Sequence, residues 1–137
     1  MQRSEITIDL GALRRNVRTL LRALGGVRLW AVVKAEGYGH GATDVAGAAL
    51  GAGATALCVA TIPEGLALRN EYRTERIVVM GPAGSNREVA LARDAGLELV
   101  IADGEIPEGL RVHLKLDTGM AATASPSYRR PRPRSWD

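Results

Sequence analysis

LWAVVK, residues 29–34 of this 137-residue chain, is a short apolar run that ends in a lysine. A near-continuous apolar run of this length is typical of a strand that is buried on both faces of a parallel sheet. Similar runs begin near residues 56, 77 and 97 and read ALCVA, IVVM and LELVI. The segments between these runs have helical character. Strands that alternate with helices at this spacing predict parallel βαβ units.

The predicted helices have recognisable starts and stops. Ile6 and Ile8 alternate with polar residues and predict a first strand, after which Asp9 can cap a helix that ends at Gly25. Three further helices are predicted, at about residues 43–51, 63–71 and 85–96. Residues 103–110 are too few for another covering helix, so a plain loop should lead into the strand at residues 111–117. The pattern fits either a doubly wound sheet or part of a (β/α)₈ barrel, since a whole barrel needs roughly 250 residues.

Charge divides the chain into two segments. Lys and Arg number 18 against 15 Asp and Glu, but residues 121–137 hold four arginines and one aspartate, which leaves residues 1–120 neutral. This tail contains three prolines and no Val, Ile, Leu or Met, so we expect it to be disordered. Its arginines, with Tyr128 and Trp136, could bind nucleic acid. We interpret the tail instead as an out-of-frame translation product that follows residue 120, which argues against a nucleic-acid partner.

Several function classes are disfavoured by composition. The single Cys58 allows no internal disulfide, and two distant histidines give no zinc-ligand spacing. The uncharged stretch between Asp44 and Glu64 is mostly Ala, Gly and Thr, which does not favour a membrane span. No secretory signal is recognisable at the amino terminus, so the expected location is the cytoplasm.

The strongest chemical signal lies at Lys34 and the glycine-rich residues after it. A lysine at the carboxyl end of a buried parallel strand stands where α/β proteins place catalytic groups, and a partly desolvated amine is a nucleophile. Glycines at 37, 39 and 41 would let backbone amides turn toward a phosphate, and Tyr38 adds a hydroxyl. Pyridoxal phosphate needs such a pair of sites, one for its aldehyde and one for its phosphate. From chemistry alone, the alternative to a coenzyme site is that residues 34–41 form a solvated loop.

The string AVVKAEGYGHG at residues 31–41 resembles the pyridoxal-phosphate lysine signature of bacterial alanine racemases. Three further strings are similar to other motifs of that family: IDLGALRRN at 8–16, VATIPEGLALR at 59–69 and HLKLDTGM at 113–120. The resemblance covers residues 4–120. It implies an α/β fold with parallel strands, namely about the first five βα units of an incomplete (β/α)₈ TIM-type barrel, in an N-terminal fragment of an isomerase.

The resemblance also implies roles for individual residues. Lys34 would bind the coenzyme through an imine and, once freed by the substrate, act as acid or base on the D-side of the substrate α-carbon, while Tyr38 would hold the phosphate. Lys115 matches a lysine that is carbamylated in several members of the family, although an unmodified, solvent-facing lysine is the alternative. The family interconverts L- and D-alanine as a homodimer and supplies D-alanine for peptidoglycan of the cell wall.

Some positions depart from the family pattern. Glu36 stands where Asn or Asp is usual, and Ala121–Ala122 stand where the family continues with Gly-Arg. The arginine that faces the substrate carboxylate is therefore missing, as are the later strands and the C-terminal domain that donates the second acid or base, a tyrosine, across the dimer. We expect that this chain does not racemise alanine alone. Alternatives are a serine racemase, another coenzyme-handling barrel protein, or a non-catalytic fragment.

Three other residues have expected supporting roles. Cys58 lies inside an apolar run and should be a core residue rather than a reactive thiol. His40 should support Tyr38 or the phosphate rather than act as a base. His113, on a predicted strand, should be structural or support neighbouring site residues.

Overall fold

Five parallel strands form one sheet in which the strand order follows the chain. The computed structural model describes residues 4–102, 105–116 and 118. The strands are β1 (Trp30–Val32), β2 (Ala56–Val59), β3 (Ile77–Val79), β4 (Glu98–Ile101) and β5 (Val112–Leu114). Each strand pairs in parallel with the next. A doubly wound sheet reverses its strand order, and these five strands do not, so the order is that of a barrel.

The helices begin at the residues that the caps favour. The helical elements are α1 (Leu10–Leu24), α2 (Lys34–Gly39), α3 (Ala42–Ala52), α4 (Ile62–Glu71) and α5 (Asn86–Asp94). Asp9 caps α1 by accepting a hydrogen bond from the amide of Ala12 at 2.9 Å, and Ser85 caps α5 in the same way. Thr61 and Glu64 form a reciprocal capping box at the start of α4. Apart from α2, these helices confirm the predicted ones.

The helices cover one face of the sheet. Residues that are paired in a parallel register point to the same side, and side chains alternate along each strand. The main core joins helix residues to one set of strand residues, which are Val33, Leu57, Val59, Ile77, Val79, Leu97 and Leu99. The alternate set forms the opposite face, which includes Trp30, Val32, Cys58, Val78, Glu98 and His113. Helices on one side only are the arrangement of a barrel wall.

The opposite face is strongly concave. Trp30 belongs to β1 and His113 to β5, the two edge strands, yet their ring centroids lie 5.3 Å apart. In a flat sheet the four strand spacings between these edges would measure about 19 Å, a gap that two such side chains do not bridge. The sheet therefore curls toward the side that carries no helix layer. Together with the strand order, this curvature confirms part of a barrel.

The structure contradicts one part of the prediction and confirms another. Residues 4–9 form no strand, and Ile6 is 86% exposed, so the predicted first strand is wrong for this chain. An isolated extended segment is not stable without a neighbour, and no described strand pairs with it. The predicted loop before β5 is confirmed at residues 105–111, which hold no helix. The tail at residues 121–137, predicted to be disordered, lies outside the described residues.

Candidate functional site at the carboxyl end of the first strand

Lys34 lies at the carboxyl end of β1. The residue before it, Val33, is almost fully buried and donates its amide hydrogen to the carbonyl of Cys58 at 2.8 Å, which extends the pairing with β2 by one residue. Lys34 itself is half-buried. The sheet therefore fixes the backbone at the base of this side chain, while its amine lies at the edge where α/β proteins hold their ligands.

The residues after Lys34 form a left-handed helical turn. Ala35, Glu36, Gly37 and Tyr38 all have φ between 50° and 60° and ψ between 38° and 54°. The sequence indicated only a glycine-rich loop here. Left-handed backbone costs a non-glycine residue roughly 1–2 kcal/mol, and three of these four residues are not glycine. Strain of this kind persists where the surroundings hold it and is concentrated at functional sites.

Backbone and side-chain hydrogen bonds brace this turn. The amide of Gly37 donates to the carbonyl of Val33 at 3.0 Å, and that of Gly41 donates to the carbonyl of Glu36 at 2.9 Å. The Nδ1 atom of His40 lies 3.0 Å from the carbonyl oxygen of Gly37, so this nitrogen carries the donated hydrogen. His40 thus supports the turn that carries Tyr38, which agrees with its expected role.

The left-handed turn brings Tyr38 back toward Lys34. The Nζ atom of Lys34 lies 6.0 Å from the centroid of the Tyr38 ring. Tyr38 is 59% exposed, so this residue is accessible to a ligand. The structure therefore brings together two of the three site residues predicted from the sequence.

Gly37 is the residue of the turn that has no room for a side chain. It is buried, its φ is +60°, and a Cβ atom built there would lie 3.2 Å from Cγ2 of Val45 and 3.4 Å from the backbone of Ala42. The turn therefore packs directly on the first residues of α3. A glycine is required here both by the backbone conformation and by this close approach.

Glu64 connects the turn to the neighbouring strand. Its Oε1 atom accepts a hydrogen bond from the amide of Ala35 at 2.8 Å, and its Oε2 atom accepts from the amides of Ala60 at 2.8 Å and Thr61 at 3.0 Å. Burial acts to raise the pKa of Glu64, but these three amide hydrogen bonds outweigh it and the pKa is lowered. The sequence alone places Glu64 only near the start of the helix predicted at residues 63–71. The Thr-x-x-Glu capping pattern is the available signal for one of these three hydrogen bonds, the one from Thr61.

Lys115 lies at the same end of the sheet but on the opposite edge strand. It directly follows β5, and its amide donates to the carbonyl of Ile101 at 2.9 Å. Alternation along the strand places it on the same face as His113. The two lysines of the chain thus stand at the carboxyl ends of β1 and β5.

The amino end of the concave face holds a charged cluster that the sequence did not reveal. Glu98 is 1% exposed, and Arg76 binds it through two hydrogen bonds of 2.9 and 2.8 Å. Arg111 and His113 approach the same carboxylate at 3.2 and 2.8 Å. The Arg76 hydrogen bonds are the largest cause that lowers the pKa of Glu98 from 4.5 to about 2. The contact with Glu98 gives His113 a structural role, as expected.

Other site classes find no support in the described part of the chain. Cys58 is buried, and burial raises the pKa of its thiol, which agrees with a core residue. Within residues 4–102, 105–116 and 118, no three His, Cys, Asp or Glu side chains come together as a metal site. In the same ranges, none of the helices has the length and apolar character needed to cross a bilayer.

Comparison with known proteins identifies what the chain resembles. A family model described as "Alanine racemase, N-terminal domain" matches residues 8–123. The alanine racemase of Symbiobacterium thermophilum is 44% identical over 124 residues, which is 82% of this chain and 33% of that protein. The crystal structure of alanine racemase from E. faecalis superposes with a TM-score of 0.76 at 36% identity, covering 85% of this chain and 34% of that one.

A second solved structure gives the same result. The alanine racemase of Streptomyces coelicolor superposes with a TM-score of 0.74 at 39% identity and covers 87% of this chain and 35% of that one. The chain thus spans about a third of the length of the relatives that it matches.

Proposed function

This chain belongs to the alanine racemase family, and on that premise we propose that it carries the coenzyme-binding lysine of a pyridoxal-phosphate enzyme that interconverts L- and D-alanine. One observation carries the proposal. Lys34 is half-buried at the carboxyl end of β1, and a strained turn holds Tyr38 beside it. We propose that Lys34 binds the coenzyme aldehyde and that Tyr38 binds its phosphate.

The chemistry of these side chains fits the coenzyme. A primary amine can bond covalently to the aldehyde, and a phenol hydroxyl can donate to a phosphate oxygen. When bound, pyridoxal phosphate supplies an electron sink that makes the α-proton of an amino acid acidic. Once the amine of the substrate has displaced it from the coenzyme aldehyde, the free amine of Lys34 could accept or return a proton at that carbon, and the half-buried setting of Lys34 limits the access of water. Tyr38 would fix the orientation of the ligand relative to this amine.

The described residues provide one of the two proton relays that racemisation needs. Inversion requires an acid or base on each face of the planar carbon, and Lys34 can serve only one. Tyr72 is not a candidate for the second role, because its hydroxyl donates to the carbonyl of Thr43 at 2.6 Å. We therefore propose that the second relay comes from parts of the enzyme beyond these residues, in a homodimer. We expect no racemisation by this chain alone.

The biological setting and the state of Lys115 are also proposals. As in the family, the whole enzyme would work in the cytoplasm and supply D-alanine for peptidoglycan. We propose that Lys115 is carbamylated, since carbamylation would turn a cation at the carboxyl end of β5 into an anion. Mass spectrometry of the intact chain at raised bicarbonate concentration would detect the addition of one carbon dioxide. A Lys115→Arg variant should show no such addition.

The composition of the chain makes a direct test of the Lys34 site possible. Lys34 and Lys115 are its two lysines, so in bicarbonate-free buffer, where a lysine carbamate reverts to the free amine, Lys115 is a built-in reference for Lys34. Purified chain is incubated with pyridoxal phosphate, the bond is made permanent by borohydride reduction, and the modified peptide is identified by mass spectrometry. We expect stoichiometric modification at Lys34 and loss of the visible absorbance of the bound coenzyme in Lys34→Ala.

The control variant for this test is Lys115→Arg, which should keep both the absorbance and the modification at Lys34. Equal modification of the two lysines, or of Lys115 alone, would show that Lys34 has no coenzyme site and would contradict the proposal.

A further inference from the structure

Glu64 makes more contacts than a helix cap requires. In a capping box, the carboxylate at the third helical position accepts one hydrogen bond from the backbone of the capping residue. Here Oε2 alone accepts from both Ala60 and Thr61, at 2.8 and 3.0 Å. The other oxygen, Oε1, reaches the amide of Ala35 at 2.8 Å, a residue 29 positions away in sequence. One carboxylate therefore joins the ends of β1 and β2.

The contact falls at a sensitive point of the backbone. Ala35 is the first residue of the left-handed turn, with φ of 50°, and it directly follows Lys34. Left-handed conformation in a non-glycine residue is held only where its surroundings fix it. The amide that enters this conformation donates to a carboxylate, and hydrogen bonds to an ionised acceptor are about twice as strong as neutral ones. Glu64 therefore restrains the backbone on the carboxyl side of Lys34.

We propose that Glu64 is a positioning residue for Lys34: its carboxylate holds the amide of Ala35 and so fixes the direction in which the lysine side chain leaves the sheet. This role rests on the proposed function of Lys34, which it deepens. Val33 fixes the other side of Lys34 through its pairing with Cys58. The lysine is thus held between a strand hydrogen bond and a carboxylate hydrogen bond.

The matched variants are Glu64→Gln and Thr61→Ala. A glutamine has the same shape, but it offers one acceptor oxygen in place of two, so its NH₂ group must face an amide donor either at Ala35 or at Ala60 and Thr61. Thr61→Ala removes the other half of the capping box, the 3.3 Å bond from the Glu64 amide to the threonine hydroxyl, and leaves the carboxylate in place. Both variants disturb the same helix start, but only Glu64→Gln weakens the contact with Ala35, because even a retained hydrogen bond there would no longer have an ionised acceptor.

Two measurements on the full chain, at a temperature where all variants are folded, test the proposal. The first is the rate of pyridoxal phosphate attachment at Lys34 relative to Lys115, in bicarbonate-free buffer so that both amines are free. The second, which needs no coenzyme, is the hydrogen-exchange rate of the Ala35 amide. We expect Glu64→Gln to slow relative attachment at Lys34 about tenfold or more, since small misplacements of reacting groups have effects of this size. We also expect faster exchange at Ala35. Thr61→Ala should change neither by more than about twofold.

Glu64→Asp is a second variant in case glutamine destabilises the chain. Aspartate keeps the charge and can cap the helix, but it is one methylene too short to reach Ala35 as well, so it should resemble Glu64→Gln. If Glu64→Gln attaches the coenzyme at the rate of the unmodified chain, or slows it no more than Thr61→Ala does, the positioning role is wrong. If the unmodified chain forms no bond at Lys34, the proposed function fails instead, and exchange at Ala35 still decides whether Glu64 holds the turn.

Discussion

The two ends of the concave face differ in how they use their polar groups. At the amino end, Glu98 is buried and its oxygens pair with three basic side chains, and the guanidinium carbon of Arg76 lies over the Trp30 ring, 4.9 Å from its centroid. At the carboxyl end, Lys34 is half-buried, Tyr38 is exposed, and the backbone between them is left-handed. At the amino end the charged groups are paired with one another, whereas at the carboxyl end an amine and a phenol remain accessible on a strained turn. The fold thus separates the groups that stabilise it from the groups that can react.

This separation has a physical reason. Buried charges are tolerated in a fold only when they are paired and hydrogen-bonded, and the atoms engaged in those contacts are not available to a ligand. Reactive groups need access and a defined direction. A strained backbone can supply that direction, but only where the surrounding structure stabilises the strained conformation. We therefore expect substitutions at the amino end to change the free energy of unfolding, and those at the carboxyl end to change mainly the reactivity of Lys34.

The largest effect on stability is expected at Glu98. Glu98→Ala leaves Arg76 and His113 without their shared carboxylate and should lower the free energy of unfolding by about 2–3 kcal/mol, below the full value for a buried pair because Arg76 is 30% exposed. Urea unfolding followed by circular dichroism measures this loss. Arg111→Ala is the control, because its side chain is 71% exposed, and it should cost less than about 1 kcal/mol. Equal losses in the two variants would contradict the distinction between the buried and the exposed partner.

The same carboxylate should make stability depend on pH. Its pKa is about 2 in the folded chain against an ordinary value of 4.5, so the unfolded state takes up the proton first as the pH falls. The contribution of Glu98 is therefore complete above about pH 5 and is lost as the pH falls through about 2, on the order of 3 kcal/mol in all. Unfolding free energies measured from pH 7 down to 2 test this. Glu98→Gln should lack this part of the pH dependence. If the unfolding free energy fell with pH by the same amount in both proteins, the contribution assigned to Glu98 would be wrong.

A smaller effect on stability is expected at the carboxyl end. Gly37→Ala places a Cβ 3.2 Å from Val45 at a φ of +60° and should cost about 1–2 kcal/mol. Gly39→Ala is the matched control, because its φ is +82° but nothing lies within 4 Å of a Cβ there, so it should cost less. Thermal unfolding gives the two values. We expect Gly37→Ala to lower coenzyme attachment at Lys34 more than Gly39→Ala does, and the reverse order would show that the turn does not control the lysine.

Much of the fold could be predicted because its signals are local. Apolar runs such as residues 56–60 and 77–80 identified the strands within a residue or two, and Asp9 and Ser85 identified two helix starts. These features depend on residues that are close in the chain. The prediction of a strand at Ile6 and Ile8 is wrong because it used only local alternation. A strand also needs a distant partner, and no described strand supplies one.

The candidate site was predictable only in part. The position of Lys34 at a strand end and the proximity of Tyr38 followed from the order of residues and from the family resemblance. The left-handed turn did not, because Ala35 and Glu36 carry no local preference for positive φ. Glu98 was hidden inside an apolar run, and its position on the concave face depends on the pairing register with β3 and β5.

The sequence by itself determined the order of helices and strands, the lysine at the end of β1 and the family to which the chain belongs. Only the tertiary structure decided that the sheet curls until Trp30 meets His113, that Glu98 gathers its basic partners, and that Glu64 reaches the amide after Lys34. Caps and apolar periodicity act over a few residues, so they can be recognised in the chain. The other contacts join residues on different strands, so they exist only once register and curvature have brought those residues together.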